Sequence, residues 1–404
     1  MTHGVDASAV NIEGVCASSS DVDDDENELR ILLIGKTGVG KSALANIIIG
    51  AEVFESEPSP ESVTSRCQHH RCRRFGRNIM VVDTPGVFDT KHNQEVILKE
   101  ISKCYGLTSP GPHAIVMVRR PDRFTEEERE TIEIFHKHFG NDLFKYMIMV
   151  ITSEGSSFRE KTKKYMAKTM EIGQKRSQEG TDEEDQTSLL YSVIKMSEDR
   201  YLPFNISDDG YTDENQVKDL LQEIDNLVVK NQGKYFTNAN FEGVEKCIES
   251  YMKEMKNEAE KERDDKISEL LESYEHTDDT VALLGHDANT METASLAGFP
   301  IVQYSPSLQR AKKRMTVEDA HKLDLVFAQT ARMTRRGQMR NQARDDIQKE
   351  KKGILWAIRK LLGVFESAYK WIREQFRAGC NSPTHTAERD QDTKRNAVYQ
   401  EQSV

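Results

Sequence analysis

The chain has 404 residues, 37% of them hydrophobic and 31% charged, with 56 Lys and Arg against 68 Asp and Glu. That balance suits one compact core attached to long solvated helices or unstructured segments, and the net charge of −12 argues against a general nucleic-acid binder, which needs concentrated positive charge. No apolar run approaches membrane-spanning length, the N-terminus lacks the basic-then-apolar order of a secretory signal, and the six cysteines are scattered, so the expected setting is cytoplasmic with free thiols.

Residues 1–27 are rich in Ser and Asp without apolar periodicity and read as a disordered acidic N-terminus. From 28 to 232 short apolar runs alternate with helical patterns, the signature of an α/β domain whose mostly parallel sheet is covered by helices on both faces. The first run, Leu29–Ile34, leads into Gly35-Lys-Thr-Gly-Val-Gly-Lys41-Ser42. This is the GxxxxGK[ST] phosphate loop of the P-loop NTPases, placed between a strand and a helix as that loop requires. Glycines let successive backbone N–H groups turn toward phosphate oxygens at a helix N-terminus. Gly35, Lys36, Thr37, Gly38, Val39, Gly40, Lys41, Ser42 and Ala43 are therefore candidate nucleotide-binding residues, with Lys41 reaching the outer phosphates and Ser42 coordinating magnesium. Thr64, in Ser62-Val-Thr64, is placed to close over magnesium when a third phosphate is present. Cys67, His69, His70 and Cys72 cluster but lack a second ligand pair at finger-like spacing, and read as a loop.

The run Ile79–Val82 delivers Asp83 of Asp83-Thr-Pro-Gly86 beside the magnesium, and the Gly86 amide can sense the third phosphate. The next residue is Val87, where small GTPases such as Ras carry a water-orienting glutamine, so hydrolysis by an isolated copy should be slow. After the run Ala114–Val118, Thr125-Glu-Glu-Glu128 predicts a capping box that opens a helix reaching Phe139. Tyr146–Ile151 and Tyr201–Ile206 are the remaining predicted strands. Phe241, Val244, Ile248, Tyr251 and Met255 predict a charged helical extension within 233–275. A linker over 276–306, a basic helical region over 307–378 and a disordered tail over 379–404 follow. In the last helix, 354–377, Ile354, Ile358, Leu361, Phe365, Ala368, Ile372 and Phe376 share one face, flanked by Trp356, Trp371 and a basic surround. Such a helix suits an anionic membrane surface; the same pattern suits folding back onto the domain or pairing with a partner helix.

The blocks LRILLIGKTGVGKSALANIIIG, SVTSRCQ, VVDTPGVFDT, GPHAIVMV, DRFTEEERETIEIFHKHFG, RYLPFN and KYFTNANFEGVEKCI resemble the GTPases of immunity-associated proteins, the GIMAP family, with its AIG-type G domain. The resemblance runs from Leu29 to Ile248, and its block Phe124 to Gly140 is especially specific because generic GTPases lack it. It implies binding of GTP or GDP with Mg2+, dimers or oligomers formed through the G domain, and work at intracellular membranes or lipid droplets in immune or stress responses. It also implies that a dimer partner supplies an arginine from the block before FTEEE, which is Arg123 here; the plain alternative is a surface arginine, and Arg119 and Arg120 are weaker candidates. Lys41, Thr64 and Arg123 thus form the candidate catalytic set, and Ser42, Thr64 and Asp83 the metal set. Asn205 matches the family's last base-contacting motif. The chain departs from the usual guanine-selecting pattern: Thr152-Ser-Glu154-Gly155 puts Gly155 at the acidic position, with Glu154 one residue early as its substitute. A GTP-dependent scaffold without hydrolysis and an ATP-using P-loop enzyme are the rival readings.

Overall fold

The computed structural model describes residues 28–56, 66–86, 94–179, 186–206, 214–272, 292–294 and 302–363. The acidic N-terminus, Thr64, Val87 and everything from 364 onward, Phe365 and Trp371 included, lie outside the described residues. A six-stranded sheet forms the centre, built from β1 (Leu29–Ile34), β2 (Gln68–Arg74), β3 (Arg77–Asp83), β4 (Ala114–Arg119), β5 (Met147–Ser153) and β6 (Tyr201–Asn205) in the order β2-β3-β1-β4-β5-β6. Five strands are parallel, and β2 pairs antiparallel with β3 at one edge, Gln68 opposite Asp83 and Arg74 opposite Arg77.

Alternation along each strand divides the core between two faces. From β1, Leu29, Ile31 and Leu33 meet α1 (Lys41–Ile49) and α6 (Glu214–Lys230), whereas Leu32 and Ile34 meet the opposite layer. That layer holds α2 (Gln94–Thr108), α3 (Glu126–Phe139), α4 (Phe158–Glu179) and α5 (Gln186–Met196). At the start of α3 both reciprocal capping bonds are present, Thr125 accepting from the Glu128 amide and Glu128 from the Thr125 amide. Because α1 and α2 leave β1 and β3 while the chain continues to β4 on the far side of β1, the sheet has its topological switch at the C-terminal end of β1, the place where open α/β sheets bind ligands.

The segment around Cys67 to Cys72 is strand β2, where the sequence suggested a loop. Its residues, QHHRCRR, carry no apolar alternation; an edge strand needs little, since its second edge faces away from the sheet. Cys67 packs in the layer with Cys104 and Cys72 packs on the opposite face.

Beyond the sheet, α7 (Ala239–Glu272) starts by burying Phe241, Val244, Ile248 and Met252 in the α2 layer, and its far end forms a small separate cluster, Ile267 and Leu271 with Leu308 and Leu323. Leu308 belongs to α8 (Pro306–Lys312) and Leu323 to α9 (Val317–Met333). A two-stranded pair, β7 (Glu292–Ala294) with β8 (Val302–Tyr304), lies within the span expected to be linker.

Two further helices, α10 (Arg336–Gln348) and α11 (Lys352–Gly363), close over α2 and α7. From α11, Ile354, Leu355, Ile358 and Leu362 are buried in that layer, contributing about 1.5–3 kcal/mol each by removal from water. The fit is close: a Cβ on Gly106 would stand 2.8 Å from Ile347 and 3.1 Å from Ile358, and one on Gly243 would stand 2.9 Å from Leu361. Hence the face of Ile354, Ile358 and Leu361 that could meet a membrane is occupied by α2 and α7, whereas Trp356, 62% exposed with the Lys360 ammonium over its ring, points outward. Ion pairs fasten the same unit, with Arg344 2.8 Å from Glu28, Lys103 2.8 Å from Glu350, and Arg340 on Glu245.

Three histidines are held neutral by their surroundings. Burial lowers His69 and His138 to about 4, and burial with the nearby Arg30 guanidinium lowers His113 to about 3. Unfolded histidine protonates near pH 6.5, so the unfolded chain takes up protons first as the pH falls. Stability is therefore complete above pH 6.5 and declines as the pH drops toward 4, by up to about 1.4 kcal/mol per histidine per pH unit. The unfolding midpoint of the nucleotide-free protein should fall between pH 7 and pH 5, before carboxylates titrate; a flat profile over that range in a thermal melt would contradict this.

Candidate functional site

The parallel strands end on one edge, and their C-terminal residues converge around the loop from Gly35 to Gly40. Gly35 leaves β1 at φ +146° so close to β4 that a Cβ would lie 2.3 Å from the Val118 carbonyl oxygen. Gly40 precedes α1 at φ +92°, where a Cβ would strike Ile206 at 2.5 Å. Gly40 is the N-cap of α1 and supplies no side-chain cap, which leaves the helix N-terminus open to an anion. The loop is tied to the sheet by Thr152, whose hydroxyl lies 2.6 Å from the Val39 carbonyl oxygen and 3.1 Å from that of Arg119.

Lys41 is buried and donates from Nζ to the carbonyl oxygens of Gly35 (2.9 Å) and Lys36 (2.8 Å), which holds its ammonium in the mouth of the loop. Burial, opposed by the charges of Asp83 and Glu127, keeps its pKa below the ordinary lysine value. Ser42 donates to Asp83 Oδ2 at 2.6 Å, so a hydroxyl and a carboxylate stand together at the start of α1 and the end of β3. Paired hard oxygen donors of this kind are what a magnesium ion takes in phosphate-binding sites, the phosphates and water completing its shell. The residues present thus fit both nucleotide phosphates and Mg2+: a loop in which a Cβ on Gly35 or Gly40 would clash, an ammonium at its mouth, and an oxygen pair beside it.

Gly86 closes the other side of the loop. Thr37 Oγ1 lies 3.3 Å from the Gly86 carbonyl oxygen, and a Cβ on Gly86 would stand 1.9 Å from that hydroxyl and 2.6 Å from the Thr37 nitrogen. Only glycine fits there. From α3, Glu127 Oε1 accepts from the Thr37 amide at 2.8 Å. Its neighbour Glu128, fully buried, accepts from Arg119 Nε at 3.1 Å and lies 3.7 Å from Lys36 Nζ. Arg119, itself fully buried, also donates to the Tyr165 hydroxyl and to the Asp122 carbonyl oxygen.

The sequence candidates divide accordingly. Gly35, Lys36, Thr37, Val39, Gly40, Lys41, Ser42, Asp83 and Gly86 come together around the loop. Register places Ser153 opposite Asn205 at the ends of β5 and β6, so Glu154, Gly155 and Asn205 lie beside one another past the P-loop. The Asn205 backbone is pinned by Gln216 from α6, at 2.9 and 3.0 Å. Glu154 is exposed and 3.4 Å from Arg120, while Gly155 takes φ +88° with open space around its Cα. Arg123 is exposed and makes no ion pair among the described residues. Burial fixes Arg119 as a structural residue. Glu127 is an addition: its sequence signal, the capping-box run of glutamates, says that one of them turns back onto the helix but not that its neighbour meets the P-loop.

The AIG1 family model matches residues 29–256, more than half of the chain. The chain belongs to the AIG1 family. Relatives of this AIG1 chain include immune-associated nucleotide-binding protein 9 of Arabidopsis thaliana, 31% identical over 253 residues that cover 61% of this chain and 66% of that protein. GTPase IMAP family member 8 of Mus musculus is 32% identical over 221 residues, covering 54% of this chain and 30% of that protein. The chain thus spans less than two thirds of the length of either. Among solved structures, Toc33 from Arabidopsis thaliana in complex with GDP and Mg2+ aligns at 20% identity over 46% of this chain and 73% of that one, with a TM-score of 0.34. The α/β body of this AIG1 chain, with its P-loop, is a G domain, and its helical C-terminal region extends from it.

Proposed function

We propose that the chain binds GTP with magnesium through Gly35 to Ala43, associates in that state through its G domain, and hydrolyses GTP slowly once a second copy completes the site. The observation that carries this reading is the placement of Lys41, Ser42 and Asp83 at the mouth of a glycine loop in an AIG1 domain. Glu154 and Asn205 then face the base, and guanine preference is weaker than in a GTPase with a carboxylate at the position of Gly155. Arg123 acts across the dimer, and its exposure supports this because a residue that serves a partner must project from its own domain. Thr64 and magnesium belong to the same reading, with Thr64 closing on the metal.

The chain acts at intracellular membranes or lipid droplets in an immune or stress response, with peripheral contact through the C-terminal helix. Since the face of α11 up to Leu362 is packed on α2 and α7, contact falls to Trp356 and to the apolar and basic residues from Phe365 to Arg377. Ending the chain at Lys352 would also strip buried side chains from the core, so the informative truncation ends at Gly363. Liposome flotation with a non-hydrolysable GTP analogue should exceed flotation with GDP, because an oligomer presents several helices at once. Truncation at Gly363, which retains Trp356 and removes the rest of that contact, should remove most of it. Equal flotation of the full chain and the truncated chain would contradict membrane contact by this segment.

A further inference from the structure

Val87 gives the chain no side chain that can orient water next to Gly86, yet a carboxylate stands one amide away. Three glutamates open α3, and two have other partners: Glu126 pairs with Arg129 on the surface, and Glu128 is buried against Arg119 and the Thr125 amide. Glu128 also reaches the Lys36 ammonium at 3.7 Å, but among the described residues Glu127 is the one of the three that accepts from a backbone amide of the P-loop. Its Oε1 accepts from Thr37 N at 2.8 Å, the same nitrogen that stands 2.6 Å from where a Gly86 Cβ would be. Thr37 therefore joins Glu127 to the glycine whose amide senses the third phosphate. The second oxygen, Oε2, makes no hydrogen bond among the described residues, and the residue is only half-buried. The base of this carboxylate is rigid, because the Thr125 cap and the Arg119–Glu128 pair anchor the first turn of α3.

We propose that Glu127 is the general base of GTP hydrolysis, holding the attacking water and taking its proton where a glutamine after the DTPG motif only orients water in other GTPases. This inference rests on the GTPase reading given above. In the step, water oxygen forms a bond to the γ-phosphorus as the bond from that phosphorus to the β–γ bridging oxygen breaks. The bonding pair leaves with GDP. Glu127 Oε2 accepts a hydrogen bond from the water and takes its proton, which passes to the released phosphate and returns the carboxylate to its starting state. General-base assistance of this kind is worth about 10²–10⁴ in rate.

Glu127→Gln separates this role from a structural one. The glutamine carbonyl can still accept from Thr37 N, so the loop is held, but the amide cannot accept a proton from water. Single-turnover GTP hydrolysis, at protein concentrations where the wild type is fastest, should slow at least about 50-fold. Affinity for a fluorescent GDP and the melting temperature of the nucleotide-free protein should stay at wild-type values. Glu127→Asp, which keeps the carboxylate on a shorter stem, should recover part of the rate. Hydrolysis by Glu127→Gln within threefold of wild type would overturn the proposal, as would a loss of GDP affinity that accounts for the slower rate. A wild-type protein that binds GTP and hydrolyses none at any concentration would instead remove the GTPase reading, and this inference with it.

Discussion

Lys41→Ala is expected to lower affinity for GTP by about 100- to 1,000-fold. Truncating one partner of a buried charge pair costs about 2–5 kcal/mol, and each 1.4 kcal/mol is tenfold. Lys41 is already held in place on the carbonyl oxygens of Gly35 and Lys36, so no ordering of a long side chain offsets the contact it makes with the phosphates. The same burial that makes the ammonium effective lowers its pKa, which means that the empty site holds this charge at a disadvantage. Alanine should therefore leave the melting temperature of the nucleotide-free protein unchanged within a few degrees while nearly removing the stabilisation that GTP gives. A titration that finds wild-type affinity in this variant would contradict the assignment of the loop.

Arg123→Ala is expected to remove most of the concentration-dependent part of GTP hydrolysis, by about 10³-fold if the residue completes a partner's site as arginine fingers do. Its position is suited to that use. Phe124, the next residue, is buried in the core and Thr125 caps α3, so the backbone of Arg123 is fixed while its side chain stays in solvent. A group that acts in the transition state contributes little to ground-state binding, so GTP affinity should change less than threefold. The check is single-turnover rate against protein concentration: wild type should rise and the variant should stay nearly flat, whereas parallel curves would make Arg123 ordinary surface.

Much of the fold was legible because apolar runs report buried strands. Leu29–Ile34 and Ala114–Val118 are fully buried on both faces, and their near-continuous hydrophobicity says so. β2 was not legible. Its neighbours are polar, the His69 backbone and ring both bonding to Gln348 of α10, and a strand covered by polar contacts from 279 positions away leaves no local periodicity. In α11 the apolar stripe was visible, but a stripe records only that something covers it, and α2 with α7 turned out to be the cover. At the site, Gly35 to Ser42 and Asp83 to Gly86 were readable from spacing alone, because strand-to-loop geometry fixes where they meet. Glu127 was not, since its contact with Thr37 depends on how α3 docks.

Titration of the wild-type protein with GTP, GDP and ATP in magnesium, with Lys41→Ala as the blank, tests the central claim most directly. The account predicts saturable binding of both guanine nucleotides, weaker binding of ATP by a margin reduced through Gly155, and none resolved for Lys41→Ala over the same range. ATP binding as tight as GDP, or equal binding by the variant, would contradict it.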